Sequence, residues 1–219
     1  MPGSRPTAVV FDLDGVIVDT EHVWDEVREE LVTDSGGTYA AGAQEAMLGM
    51  TSTEWSRPLH EVIGLPQAPA EINAEVVRRM LARYQRDLPL IPGAMDAVRA
   101  LHAAGLPLAV ASSSNRPLID AVLRTAEVEG LFAATVSSEE VARGKPSPDV
   151  YLEAARRLGI DPTACAAVED SANGLRAAAA AGMRVIAYPN RRFPPAPDAL
   201  ALADVVLDGL GELPGVLGV

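Results

Sequence analysis

Residues 7–16 read TAVVFDLDGV, and the fold turns on them. Thr7 to Asp12 is a short apolar run with β-branched and aromatic members, the pattern of a strand buried on both faces. It ends in Asp12-Leu13-Asp14-Gly15. Residues two apart in an extended chain point the same way, so both carboxylates face one site. Alone, the tetrapeptide also reads as a turn rich in Asp and Gly. Working outward, similar runs recur at 106–112, 134–138, 164–169 and 183–188, with helical patterns between them. That alternation predicts an α/β fold, a parallel sheet covered by helices on both faces, with ligands at the carboxyl edge. Helix punctuation agrees: Pro92-Gly93 precedes a helix over 94–104 that Gly105 closes. Ser147 is expected as an N-cap with Pro148 in the first position and Gly159 at the end, and Ser171 caps a third helix that Gly182 stops.

Residues 19–88 break the alternation. They carry helical patterns at 21–31, 53–63 and 70–88 but no convincing strand, so they read as a helical insertion, leaving 1–18 and 89–219 as the core. LPLIPG at 88–93 returns the chain to that core, and PNRRFPPAP at 189–197 reads as an exposed loop.

The 219 residues are enough to bury a sizeable core, and 48% hydrophobic against 22% charged is ordinary for a folded protein. A formal net charge of −12 disfavours nucleic acid and anionic membranes as partners. A phosphate site must then supply its own positive field from a cation, a metal or a helix N-terminus. Cys165 is the only cysteine, MPGSRPTAVV lacks the character of a secretion signal, and charges interrupt every apolar run before membrane-spanning length. A cytoplasmic protein is expected, as a monomer or weak homo-oligomer.

Three further signals bear on chemistry. Glu169-Asp170 ends another buried run just before a helix, where a helix cap is the bland reading. With Asp12 and Asp14 it would make four carboxylates at neighbouring strand ends, which repel one another unless a cation intervenes, and oxygen ligands of this kind suit Mg²⁺. Lys145 is the one lysine beside seventeen arginines, and its compact charge can contact both a phosphate and a carboxylate. Ser112, at the end of the second core run, can donate a hydroxyl to a phosphoryl oxygen, although serines there are often turn residues.

In this order and spacing, FDLDGVIVDT (11–20), VASSSN (110–115), GKPSPDVYL (144–152) and VEDSANGLRAA (168–178) resemble the motifs of the haloacid dehalogenase superfamily. The whole chain resembles its phosphatase and phosphoglucomutase branch with a helical cap. The resemblance implies a Rossmann-like core of five or six parallel strands and a cap inserted after the first motif. It implies Asp12 as nucleophile, Asp14 as general acid/base, and Ser112 and Lys145 holding the phosphate, with Ser113 and Asn115 also contacting substrate. It further implies Mg²⁺ held by Asp12, Asp14 through its backbone carbonyl, Glu169 and Asp170. The activity so implied is hydrolysis of a small phosphorylated metabolite through an aspartyl-phosphate.

Other activities fit less well. A sugar phosphomutase of this family places a His ten residues after the second Asp, and Trp24 stands there, with His22 two places earlier. It also places an Arg soon after a cap Gly, whereas Gly49-Met50-Thr51-Ser52 offers Ser52, leaving Arg57, Arg78, Arg79 or Arg83 as substitutes. Phosphonate hydrolases need a cap lysine, and this cap has none. A non-enzymatic phospho-acceptor like a bacterial receiver domain would carry its acidic pair and its phosphorylated Asp in the reverse order.

Overall fold

A computed structural model describes residues 5–40, 42–43, 47 and 50–219. Its sheet has six parallel strands: β1 (Ala8–Phe11), β2 (Leu108–Ser112), β3 (Ala134–Ser137), β4 (Cys165–Glu169), β5 (Arg184–Ala187) and β6 (Val205–Val206). They lie in the order β3-β2-β1-β4-β5-β6. Alternate residues of β1 enter different cores, Val9 and Phe11 one, Ala8 and Val10 the other. Burial on both faces explains why the strand reads as a continuous apolar run.

Among the described residues β1 is followed by α1 (Glu21–Asp34), α2 (Ser52–Glu61) and α3 (Pro69–Arg86). Then α4 (Ala94–Ala103), α5 (Arg116–Thr125), α6 (Asp149–Leu158) and α7 (Ala172–Ala180) alternate with the strands. On one face Ala109, Ala111, Ala167 and Ala187 keep the sheet surface shallow, and α6 and α7 pack there. The other face carries Phe11, Val110 and Val168 and joins a larger core.

That larger core extends into the inserted helices. Ile72, Val76, Met80 and Tyr84 recur every four residues along α3 and are all buried, a single apolar stripe. α3 packs against α1 and α2, and also against α5 beside the sheet. The two connections into this helical segment run side by side: Val18 bridges both Asp14 and Leu90, and Ile91 N–H donates to Ile17 O at 3.0 Å.

The structure departs from the sequence expectations in three places. β6 and α5 were not separately anticipated, β6 because two residues carry no periodicity. The helix expected to start at Pro148 with Ser147 as its cap starts at Asp149, with Pro148 in the cap position. Ser147 Oγ instead donates to the Asp149 carboxylate at 3.0 Å, an acid that Arg143 also grips. Among the described residues no helix is long and apolar enough to cross a membrane.

Candidate active site

The register Phe11↔Val168, with Asp12 N–H donating to Val168 O at 3.0 Å, brings Asp12 and Glu169 out together at the carboxyl ends of β1 and β4. From these neighbours the chain departs in opposite directions, β1 toward β2 and β4 toward β5, which makes this crevice the switch point of the sheet. Asp12, Glu169 and Asp170 are buried, and a carboxylate oxygen from each lies within 4.8 Å of the others. The loop after β3 delivers Lys145, only 3% exposed. Its Nζ is 2.9 Å from Asp12 Oδ1 and 2.5 Å from Glu169 Oε1.

Glu169 is the most heavily hydrogen-bonded of these acids. Tyr151 Oη donates to its Oε1 at 2.5 Å, while the amides of Asp170 and Ser171 and the Ser171 hydroxyl donate to Oε2 at 3.1–3.3 Å. The Ser171 Oγ also accepts from Gly174 N–H and so caps α7. Asp14 is oriented differently. Its Oδ1 accepts from the Thr20 hydroxyl and from Trp24 Nε1 at 3.2 Å, and its Oδ2 from the Ser114 hydroxyl at 2.7 Å.

Burial, reinforced by Glu169, raises the carboxyl pKa of Asp12 well above its ordinary value despite the opposing pull of Lys145. Burial, then Glu169 and Asp12, does the same to Asp170. For Lys145, burial acts to lower the pKa, but Asp12 and Glu169 together overcome it and the ammonium is held charged. Three buried carboxylates against one ammonium leave the cluster short of two positive charges when all are ionised. A divalent cation with a preference for oxygen matches both that deficit and the donor set. Two glycines make room for these acids. A Cβ on Gly15, whose φ is +80°, would sit 1.9 Å from Asp170 Oδ2, and one on Gly174 would sit 1.9 Å from Glu169 Oε1.

Asp12, Asp14, Ser113, Lys145 and Asp170 line one cavity beneath the inserted helices. Ser112 is fully buried at the strand end, where its Oγ accepts from Ser114 N–H at 3.0 Å. Asn115 turns its amide to Glu139 at 2.6 Å, and Ser52 on α2 donates to that same oxygen at 2.9 Å. Of the cap positions weighed against a mutase, Trp24 contacts Asp14, Ser52 contacts Glu139, and Gly49 lies outside the described residues. His22 faces a separate cleft at the junction with residues 89–92. Sequence reasoning missed Ser114 and Tyr151. Both sit inside quoted motif strings, but the acids they touch are 100 and 18 residues distant in the chain.

Sheet order, switch-point acids and buried lysine define a class, and comparison supplies its membership. The chain belongs to the haloacid dehalogenase-like hydrolases, whose family model matches residues 6–182. Hexitol phosphatase B of Escherichia coli strain K12 is 32% identical over 222 residues, covering 94% of this chain and 93% of that protein. The bifunctional riboflavin kinase/FMN phosphatase of Arabidopsis thaliana is 34% identical over 208 residues, 94% of this chain but 54% of its own length. Among solved structures, CbbY from Rhodobacter sphaeroides in complex with phosphate superposes with a TM-score of 0.87 at 30% identity, covering 98% of this chain and 100% of that one.

Proposed function

We propose that this chain is a Mg²⁺-dependent phosphatase that hydrolyses a small phosphorylated metabolite through an aspartyl-phosphate on Asp12. The observation that carries this reading is the placement of Asp12. It ends the central strand at the switch point, faces a cavity, and lies 2.9 Å from the ammonium of the chain's one lysine. A carboxylate approaching a phosphate dianion meets repulsion, and Lys145 offsets charge on both partners. Asp12, Glu169, Asp170 and the Asp14 carbonyl would hold the Mg²⁺, which when bound offsets the remaining charge on the transferring phosphoryl group. Asp14, braced by Thr20, Trp24 and Ser114, is placed to give a proton to the departing oxygen and later to take one from the hydrolysing water. Ser112 at the end of β2 and Ser113 and Asn115 in the loop after it would hold the phosphate, and of the three Ser113 lines the cavity.

Hydrolase is favoured over mutase because Trp24 stands where a mutase of this family carries a His and Ser52 where it carries the Arg that holds the distal phosphate, and named phosphatases are among the relatives. The net charge of −12 and the single buried cysteine support action on a soluble metabolite in the cytoplasm. The test is phosphate release from p-nitrophenyl phosphate and a panel of phosphorylated metabolites, with Mg²⁺ and with excess chelator, for the wild type and Asp12→Asn. Release is expected only with Mg²⁺, and to fall at least ~10³-fold in the variant. Full activity in chelator, or near-normal turnover by Asp12→Asn, would overturn the reading.

A further inference from the structure

Lys145 lies shortly before α6, and Tyr151 is in the first turn of that helix. The turn between them brings Lys145 Nζ to 5.1 Å from the centroid of the Tyr151 ring, within the range of a cation–π contact. At its other end the Tyr151 hydroxyl donates to Glu169 Oε1 at 2.5 Å, the same oxygen that accepts from Lys145 Nζ at 2.5 Å. One fully buried side chain therefore meets both members of an ion pair, the cation with its ring and the carboxylate with its hydroxyl.

Packing accounts for the ring but not for the hydroxyl. Tyr151 belongs to the core on the alanine-lined face of the sheet, where Phe would fill the same space without a polar atom that burial obliges to find a partner. The partner it finds is the less secured half of Glu169. Three donors, the amides of Asp170 and Ser171 and the Ser171 hydroxyl, pin Oε2. Oε1 has two among the described residues, Lys145 and Tyr151. Lys145 reaches it at the end of a flexible four-carbon stem, whereas a tyrosine has only two side-chain torsions and loses little freedom when held. The phenol is thus the rigid donor on Oε1, and Oε1 in turn fixes an ammonium that lies 2.9 Å from Asp12 Oδ1.

We infer that Tyr151 is a positioning residue, whose ring and hydroxyl together hold Lys145 against Asp12 by way of Glu169. The inference rests on the phosphatase reading for what Lys145 does once held. A charge that offsets repulsion between a carboxylate and a phosphate acts only if it is already in place when they approach. Loss of the clamp should therefore slow the chemical step more than it weakens substrate binding.

The experiment exploits Lys145 being the chain's one lysine. Protein labelled with ¹⁵N-lysine gives a single side-chain ammonium resonance, so NMR with Mg²⁺ present reads the proton exchange of that group alone. In the wild type those protons should exchange with water at least ~10-fold more slowly than in free lysine, as protons held in a buried network do. Tyr151→Phe keeps the ring and the packing and removes only the hydroxyl. Its ammonium should exchange at least ~10-fold faster than that of the wild type, and its kcat on p-nitrophenyl phosphate should fall about 10–100-fold with KM held within about threefold. If Tyr151 only fills the core, Tyr151→Phe matches the wild type in both readouts, and that result would overturn the inference. With an active wild type, a change in one readout without the other would overturn it too, as would wild-type exchange as fast as in free lysine. A Tyr151→Phe chain that does not fold would make the hydroxyl a requirement of the fold and would likewise count against a positioning role. Absence of hydrolysis by the wild type, with the difference in exchange intact, would instead strike the phosphatase reading and leave the clamp on Lys145 standing.

Discussion

Asp14 receives three donors, from Thr20 and Trp24 at the start of α1 and from Ser114 in the loop after β2. Such bracing suits the proposed role of Asp14, a carboxyl group that exchanges protons with a departing oxygen. Asp14→Asn keeps the size and the backbone carbonyl but cannot shuttle a proton. Alkyl phosphates, whose leaving group needs protonation, should lose about 10²–10⁴-fold in kcat. With p-nitrophenyl phosphate the first step needs no proton, so the variant should show a fast burst of nitrophenol followed by slow turnover. Equal losses on both substrates without a burst would assign Asp14 a purely positional role. Asp12, Asp14, Lys145, Glu169 and Asp170 were legible in the sequence because each stands at the end of an apolar run or beside a helix start. Ser114 and Tyr151 were not, because their significance lies in which way a side chain turns once distant segments pack.

At the scale of elements, α7 shows how local propensity and site geometry compete. Gly174 occupies the first turn of that helix, where Ala would ordinarily gain about 1 kcal/mol in helix propensity. Here a Cβ would lie 1.9 Å from the Glu169 carboxylate, which is fully buried and tied to Lys145, Tyr151 and the α7 N-terminus. Overpacking of this kind costs about 1–3 kcal/mol, and disturbing the buried ion pair adds to it. Gly174→Ala should therefore be destabilised by about 2 kcal/mol net, a drop of roughly 4–8 °C in Tm. A thermal melt showing a rise in Tm would mean that Glu169 can move aside and that its geometry is loosely held. The five longer strands were readable because burial on both faces makes them unbroken apolar runs, and the inserted helices because their stripes recur at helical spacing. β6 was missed since pairing with β5 through Ile186↔Val205 and Ala187↔Val206 defines it rather than any pattern of its own. α6 starts two residues after Ser147 because that serine spends its hydroxyl on Asp149.

Over the whole molecule, a strongly acidic chain concentrates three carboxylates and one ammonium at the centre of its sheet. Without a metal, that arrangement opposes folding at neutral pH. Asp12 and Asp170 have raised pKa values, chiefly from burial, so the metal-free fold holds protons there that the unfolded chain has already released. Their contribution to stability is therefore present at low pH and lost as pH rises through the raised values. The Mg²⁺ proposed for this site would offset the resulting repulsion and would have to displace any protons still bound, so its apparent affinity should fall as pH drops. At 100 times its Kd at pH 8, the cation should add about 2.7 kcal/mol, roughly 5–11 °C in Tm for a chain of this size. The same Mg²⁺ concentration should raise Tm progressively less as pH is lowered toward 5. Melts with and without Mg²⁺ across pH 5–8 measure this directly. A gain independent of pH, or one that grows toward acid, would place the cation away from Asp12 and Asp170 and would separate the charge cluster from the proposed metal requirement of turnover.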